Sequence, residues 1–521
     1  MKPALLMTTL LAGLAVVGCA TQSTPVQTAE TVPAETNNRV AVQPVQAGDS
    51  YYETAYARVK AREAEKAPQK AKNVILFVGD GMGISTITAG RIYAGQKQGL
   101  DGESYQLAFE QMPNVALSKT YSNDAQISDS ASTATALVSG VKVNSRTLGL
   151  TKDARYSNCA SSEGNAVQTI FELAEAQGLA TGIVSTARIT HATPGSTYTK
   201  SANRDWEDDA SMGDQAAAGC ADIARQLIDW PAGDGFEVVL GGGRRHFLPS
   251  DAVDPEYADQ TGRRADGANL IDEWTAKSDD HVFVYDQAGF DAIDFKSDTR
   301  VLGLFEPSHM QFNLDRTKDS AGEPTLAELT RAAIDRVSMD DDGFVLMIEA
   351  GRIDHGHHAG NAKRALEDVY ALDEAVKMAL SLTDPEETLI IVTADHSHVF
   401  TMAGYAARGN PILGKSAYGI GSFAKGGDGL PYTTLGYMNG PGAVCSTSEA
   451  GEIVCNRPDI TDVDTEADDY QQQALIPMGS ETHGGEDVAF FATGPGSELV
   501  SGVMEQNEAF QVMAISLGLI E

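Results

Sequence analysis

Positive charge is what this sequence has least of. Its 38 Lys and Arg stand against 73 Asp and Glu, a formal net charge of −35 over 521 residues. A surface of that sign repels a polyanion instead of exchanging counterions with it, which excludes nucleic acid as a partner. An anionic small molecule would need local cations, because the field of the whole protein opposes it over roughly a Debye length of ~8–10 Å. No apolar stretch is long enough to span a bilayer; the run from Ala4 to Val17 falls short of the ~20 residues required. The 5 cysteines contain no C-x-x-C pair, so thiolate zinc binding has no support. There is no internal repeat, no G-x-S-x-G elbow and no C/S-x-P-x-R signature. A hydrophobic content of 42% with ordinary Pro and Gly use excludes a disordered or collagen-like chain.

What is present begins with a targeting segment. Lys2 precedes the apolar run, and Val16-Val17-Gly18-Cys19 ends it in the manner of a bacterial lipobox. This predicts a signal peptide over residues 1–18 and lipidation of Cys19, with an ordinary secretory leader as the alternative. Either way the mature protein is exported, and a lipid on Cys19 would anchor it to a membrane on the periplasmic side or at the cell surface. Residues 19–50 are rich in Thr, Gln, Pro, Val and Ala without apolar periodicity, which predicts a flexible tether. Export makes the other cysteines disulfide candidates. Cys445 and Cys455 lie close enough in sequence to staple a local loop, which leaves Cys159 for Cys220.

After a short charged helix over 51–67, continuous apolar runs alternate with amphipathic stretches. The strand candidates are Val74–Val78, Thr181–Val184, Val238–Leu240, Val301–Leu304, Phe344–Ile348, Leu389–Thr393 and Val488–Ala492. Helical patterns cover Ala166–Gln177, Thr325–Val337 and Asn361–Leu380. Such an alternation predicts an α/β fold with a large, mostly parallel sheet covered by helices on both faces. Residues 402–480 break the pattern: Gly- and Tyr-rich, with an acidic stretch at Asp459–Asp469, they read as an insertion into a catalytic domain of 51–401 and 481–521.

Ligand-type side chains sit where these strands end. Asp80 follows the first; Glu349 ends another, with Asp354 and His358 beyond it. Asp395 and His396 follow a third, His191 and Thr193 follow the strand at Thr181, and His483 precedes the last. Each alone has a bland explanation as a turn or cap residue. Together they gather seven of the 10 histidines into these segments (191, 355, 357, 358, 396, 398 and 483), which chance clustering explains poorly. Asp354 and His358 share a helical face at i, i+4; His357 lies close to it, and spacing does not choose between the two. Mixed Asp/His/Glu ligation without sulfur suits zinc, or zinc with magnesium, and six or more ligands imply at least two ions ~4 Å apart. Ser130, in Asp129-Ser130-Ala131-Ser132-Thr133, stands where a helix starts. There it is either an N-cap or a nucleophile at a natural phosphate seat.

These motifs resemble the alkaline phosphatases, the animal-type branch in particular. The match rests on Lys72 through Gly83, the Asp129-Ser130 stretch, Arg188 to Pro194, Asn203-Arg204-Asp205-Trp206, Glu349 through His358, Thr393 through Phe400, and Glu481 through Asp487. The resemblance implies an alkaline phosphatase-like α/β sheet, a crown-like role for 402–480 and a homodimer. It implies Ser130 as the residue that becomes phosphoserine, and Arg204 as a clamp on two phosphate oxygens. Asp354, His358 and His483 would hold one zinc; Asp80, Asp395 and His396 the second; Asp80, Thr193 and Glu349 a magnesium. His191 and His355 flank the site, where the enteric bacterial branch has Asp and Lys. The branch also carries a calcium site, matched by Glu256, Phe305 and Glu306, with Glu323 where an Asp is expected. The Cys159–Cys220 pairing fits the branch as well.

The expected reaction is therefore two-step, in-line hydrolysis of phosphate monoesters, driven mostly by charge stabilisation and positioning. The alternatives are a phosphodiesterase or sulfatase on the same superfamily fold, and a non-catalytic lipoprotein that scavenges phosphate or zinc. Diesterases of the superfamily generally use Thr and lack the Arg clamp. A scavenger leaves the serine beside Asp129 unexplained.

Overall fold

The computed structural model of the chain describes residues 39–419, 422–447, 451–455 and 457–521. The expected signal peptide over 1–18 and the lipidation site Cys19 lie outside the described residues. A 10-stranded sheet forms the centre. Eight of its strands are β1 (Asn73–Gly79), β2 (Asn114–Lys119), β3 (Ala180–Arg188), β4 (Val238–Gly242), β5 (His281–Val284), β6 (Arg300–Leu304), β7 (Phe344–Ala350) and β8 (Thr388–Thr393). The other two are Val488–Thr493 and Gly502–Glu505. The order is Gly502–Glu505, β2, Val488–Thr493, β8, β1, β7, β3, β4, β6, β5. From β8 to β5 every pairing is parallel. Val488–Thr493 runs antiparallel to both its neighbours.

Period-two alternation along β1 shows why the sheet is buried on both sides. Val74, Leu76 and Val78 face a layer built from α1 (Ser50–Lys66), α3 (Ser130–Ser139) and the Glu508–Leu517 helix, meeting Tyr52, Leu137 and Phe510. Ile75 and Phe77 face the opposite layer of α2 (Ile84–Lys97), Leu326–Val337 and Ala362–Leu382. The Leu326–Val337 helix starts on a capping box between Thr325 and Glu328 and buries Leu329, Ala333 and Val337 along one stripe.

Three expectations need correction. The helix read over Ala166–Gln177 spans only Ile170–Glu175, because Thr169 caps it with Glu172 and the side chain of Gln46 claims both backbone groups of Gln168. The tether expected over 19–50 does not describe residues 39–50, which pack against the rest of the chain; 19–38 lie outside the described residues. Arg39 donates to the carbonyls of Ala71, Leu517, Lys72 and Asp342 at 2.7–3.2 Å, and Val42 N donates to Leu519 O at 2.9 Å. β2, β5 and Gly502–Glu505 lie outside the strand candidates; β2 alternates exposed and buried positions near one edge of the sheet, with its apolar Val115 and Leu117 on the exposed side.

Within 402–480 the chain forms a sheet of Phe400–Met402, Leu435–Gly440 and Ala474–Pro477, with two small hairpins. Phe400, Ile412, Leu413, Leu435 and Tyr437 pack onto Ala89 and Ile92 of α2 and onto Ala362 and Leu366. Both disulfides form as expected, Cys159–Cys220 and Cys445–Cys455. Among the described residues, no helix is long and apolar enough to cross a membrane.

Candidate metal centre

Four adjacent parallel strands, β8, β1, β7 and β3, deliver most of the site at their carboxyl ends, where open α/β sheets place their ligands. Asp80 follows β1, Glu349 is the penultimate residue of β7, Asp395 and His396 follow β8, and His191 and Thr193 follow β3. The turn after Asp80 requires glycine. Gly81 has φ +68° and its N–H donates to Asp395 Oδ1 at 3.0 Å; a Cβ there would lie 2.3 Å from His398 Nε2.

Four overlapping clusters that could hold a metal meet here: Asp354, His396, His398 and His483; His358, His398 and Glu481; Asp80, Asp395 and His396; and Asp80, His191 and Glu349. The expected ligands fall among them in three candidate groups. In the first, Asp354 Oδ1 lies 3.3 Å from His358 Nε2 and 3.5 Å from His483 Nε2. The far nitrogens of both imidazoles are pinned: His358 Nδ1 donates to Glu481 O at 2.6 Å and His483 Nδ1 to Ser128 O at 2.8 Å. Each ring therefore turns Nε2 into the cluster. In the second group, His396 Nε2 lies 3.3 Å from Asp80 Oδ1 and 3.4 Å from Asp395 Oδ2. The third gathers Asp80, His191 and Glu349. Thr193 stands by, its buried hydroxyl without a hydrogen-bond partner.

The choice between His357 and His358 is resolved by the helix Arg352–His358. His357 turns away, to Thr86 Oγ1 at 3.0 Å and Tyr437 OH at 2.9 Å. His398, one of the seven clustered histidines, was given no role by the sequence; its Nε2 lies 2.8 Å from Asp354 Oδ1 and its Nδ1 2.5 Å from Glu481 Oε2. His309 was missed altogether; its ring lies 4.0 Å from that of His355 and 5.3 Å from that of His191, and it touches Arg188.

Ser130 opens α3 as its first residue, and the N-cap is Asp129, whose carboxylate accepts from Ala131 N and Ser132 N. That frees the Ser130 hydroxyl, which reaches His396 Nε2 at 3.0 Å. Asp129 also accepts from Arg204 Nη1 at 3.0 Å, and Arg204 Nη2 donates to His191 Nε2 at 3.0 Å. The guanidinium is thus held at the same helix end as the hydroxyl.

Electrostatically the centre is strained as it stands. Burial, then Asp395 and Asp354, push the Asp80 carboxyl well above its ordinary range; burial likewise raises Asp395 and lifts Glu349 to about 7. Burial also holds His191, His355 and His396 well below the usual imidazole value. Burial alone would raise Asp354, but His358, His398 and His483 outweigh it and bring it well below. Both oxygens of Asp80, Glu349 Oε1, Thr193 Oγ1 and His191 Nδ1 are buried without hydrogen-bond partners. Neutral imidazoles and orphaned carboxylate oxygens converging without sulfur are the donor set of divalent cations, so the residues fit zinc and magnesium.

A second acidic cluster lies apart, at two of the expected calcium residues. Glu256 and Glu306 are joined by Asp319, which the sequence reading omitted. Glu323 lies close by, one oxygen taking Gln311 N at 2.9 Å and the other unpartnered. The Phe305 side chain is core, which leaves only its carbonyl as a ligand. Burial raises Glu256 to about 7 and Glu323 to about 9.

The chain is similar to known proteins. The family described as alkaline phosphatase matches residues 71–519. The tissue-nonspecific alkaline phosphatase of Gallus gallus is 44% identical over 451 residues, spanning 85% of this chain and 84% of its own. The corresponding human isozyme is 42% identical over 451 residues, spanning 85% and 83%. The solved structure of Thermus thermophilus alkaline phosphatase overlays with a TM-score of 0.61 at 24% identity, over 88% of this chain and 94% of that one, a likeness of fold.

Proposed function

This chain belongs to the alkaline phosphatase family, whose members are metal-dependent phosphomonoester hydrolases, and we propose that Ser130 is its nucleophile. The observation that carries the proposal is the 3.0 Å contact from Ser130 Oγ to His396 Nε2 at the start of α3. It brings the hydroxyl to the second ligand group and to the positive end of a helix dipole. Two zinc ions are assigned to Asp354, His358, His483 and to Asp80, Asp395, His396, and a magnesium to Asp80, Thr193 and Glu349. Such ions, when bound, supply Lewis acidity toward the phosphoryl, serine and leaving oxygens. The first turn of α3 offers backbone N–H groups to the phosphate, and Arg204 grips two of its oxygens with its planar fork. Ser130 Oγ bonds to phosphorus as the ester bond to the alcohol breaks; water then cleaves the phosphoserine and releases inorganic phosphate. Asp129 keeps Arg204 aimed between turnovers.

The remaining assignments belong to the same reading. Glu256, Glu306, Glu323 and the Phe305 carbonyl, with Asp319 added, hold a calcium ion. The protein is exported, carries a lipid on Cys19 and works as a homodimer, with 402–480 as its crown. The test compares turnover of an aryl phosphate monoester, the matching diester and the matching sulfate, with zinc and magnesium supplied and then chelated. A monoester preference lost on chelation supports the reading. A diester or sulfate preference overturns the role of Arg204, and zinc binding without turnover favours the scavenger.

A further inference from the structure

Where the chain returns from the 402–480 insertion it meets the metal centre at Glu481. Its side chain is fully buried, and its backbone N–H, its carbonyl and both carboxylate oxygens are all engaged. On the backbone, Glu481 N donates to His358 O at 3.0 Å, and Glu481 O accepts from His358 Nδ1 at 2.6 Å. The histidine is gripped at both its main chain and its ring. Through the side chain, Oε1 accepts from Val399 N at 2.7 Å and Oε2 from His398 Nδ1 at 2.5 Å. The far nitrogen of His398 in turn lies 2.8 Å from Asp354 Oδ1. Two residues further on, His483 pairs across a short bridge with His398.

The limb is itself tied into the insertion. Thr482 N donates to Asn439 Oδ1 at 3.1 Å and Asn439 Nδ2 to Thr482 Oγ1 at 2.9 Å, which couples it to the strand Leu435–Gly440. From that strand Tyr437 OH also reaches His357 at 2.9 Å, on the helix that bears Asp354 and His358. Short, charge-assisted bonds in a water-free setting fix ring orientation strongly. Partners behind a metal's direct ligands set both the aim of those ligands and the affinity of the site.

We propose that Glu481 is the positioning residue of the first metal group: its carbonyl aims His358, its carboxylate aims Asp354 through His398, and by it the insertion tunes one metal site of the enzyme and not the other. This rests on the reading of Asp354, His358 and His483 as ligands of one ion. The second group, Asp80, Asp395 and His396, makes no hydrogen bond to Glu481.

The test is Co²⁺ titration of the full-length, metal-stripped protein, followed by visible absorption, for wild type, Glu481→Gln, His398→Gln, the double variant and Asp354→Asn. An amide at 481 keeps the size but cannot accept from both Val399 N–H and His398 Nδ1–H. Expected for Glu481→Gln is a fall of about 10–100-fold in affinity for one of the two tight cobalt equivalents, with a changed band shape for that ion. The other equivalent should stay within about twofold. In the His398→Gln background, Glu481→Gln should add little, since the two act in series. If Glu481→Gln does not fold, Glu481→Asp is scored by the same criteria. Wild-type affinity and spectrum overturn the proposal, as do equal losses at both sites or fully additive effects with His398→Gln. Should Asp354→Asn retain both equivalents, the ligand reading itself fails, and Glu481 falls with it for that separate reason.

Discussion

Glu349 allows the metal reading to be tested through stability alone. It is fully buried at the end of β7, and burial, opposed in part by the Ser185 hydroxyl, lifts its carboxyl from 4.5 to about 7. A folded-state value above the unfolded one means the native protein binds more protons between those limits. The group's contribution is therefore lost as pH rises through about 7. At ~1.4 kcal/mol per tenfold change in proton affinity, ionised Glu349 costs the metal-free fold about 3 kcal/mol at pH 8 and under about 1 kcal/mol at pH 5. Glu349→Gln removes that cost. Metal-free, the variant should melt about 3 °C above wild type at pH 8 and within about 1 °C at pH 5, given ~2 cal/mol/K of unfolding entropy per residue. Buried histidines pull the opposite way with pH but are common to both proteins and cancel in the difference. Adding magnesium should reverse the order, since only wild type gains the ion's binding energy. Differential scanning calorimetry of both proteins, with and without magnesium, reads all of this. A metal-free variant no more stable than wild type at pH 8 refutes the burial argument, and an order unchanged by magnesium refutes Glu349 as a ligand.

Three further outcomes follow from the same geometry. Ser130→Ala should lower kcat on an aryl phosphate by about 10³-fold or more with zinc content unchanged, and near wild-type turnover would remove it as nucleophile. Arg204→Ala should raise the inhibition constant of inorganic phosphate about 10²–10⁴-fold without changing metal content, because each of its two charge-assisted bonds contributes about 1.5–3 kcal/mol. Equal inhibition would contradict the clamp. Arg39→Ala should cost about 2–4 kcal/mol of stability through its four carbonyl contacts, measured as a lower denaturant midpoint at unchanged slope, whereas a true tether would show no effect.

The ligands after the central strands were legible in the sequence for a topological reason. Strands buried on both faces read as unbroken apolar runs, so the residue after each run is at the mouth of the sheet, and Asp80, Glu349 and Asp395 announce themselves there. Features that depend on chain segments meeting from afar were not legible. Asp319 reaches Glu256 and Glu306 only because a loop folds back. His357 and His358 differ by the 100° that one residue turns a helix, which spacing from Asp354 constrains but does not resolve. Residues 39–49 are held mainly by the polar side chains of Arg39 and Gln46, with only Val42 and Ala47 against the core and no periodic apolar stripe, so composition made the segment look like tether. β2 is six residues long with only Val115-Ala116-Leu117 apolar, and its burial alternates the other way, with Val115 and Leu117 exposed and Ala116 and Ser118 buried, so no periodic signal marks it as a strand.

The charge of the chain finally bears on why the metals are indispensable to the reading. A phosphate monoester approaches a protein of net charge −35, and the centre it must enter repeats that sign. Asp80, Asp129, Asp354, Asp395 and Glu349 carry five negative charges when ionised, against one positive charge on Arg204, while His191, His355 and His396 are held neutral by burial. That balance of minus four would expel a dianion, and Arg204 is already engaged by Asp129 at 3.0 Å. With the proposed two zinc ions and one magnesium in place, minus four would become plus two. The same carboxylates that raise one another's proton affinity would then be the source of a localised positive seat. Its field is short, because solvent ions screen it within ~8–10 Å. Substrate capture should therefore strengthen with ionic strength where the surface field dominates the approach, the reverse of an enzyme whose whole surface attracts its substrate. A kcat/KM for an aryl phosphate that falls steadily from 10 mM to 200 mM salt, at saturating metal, would count against this account.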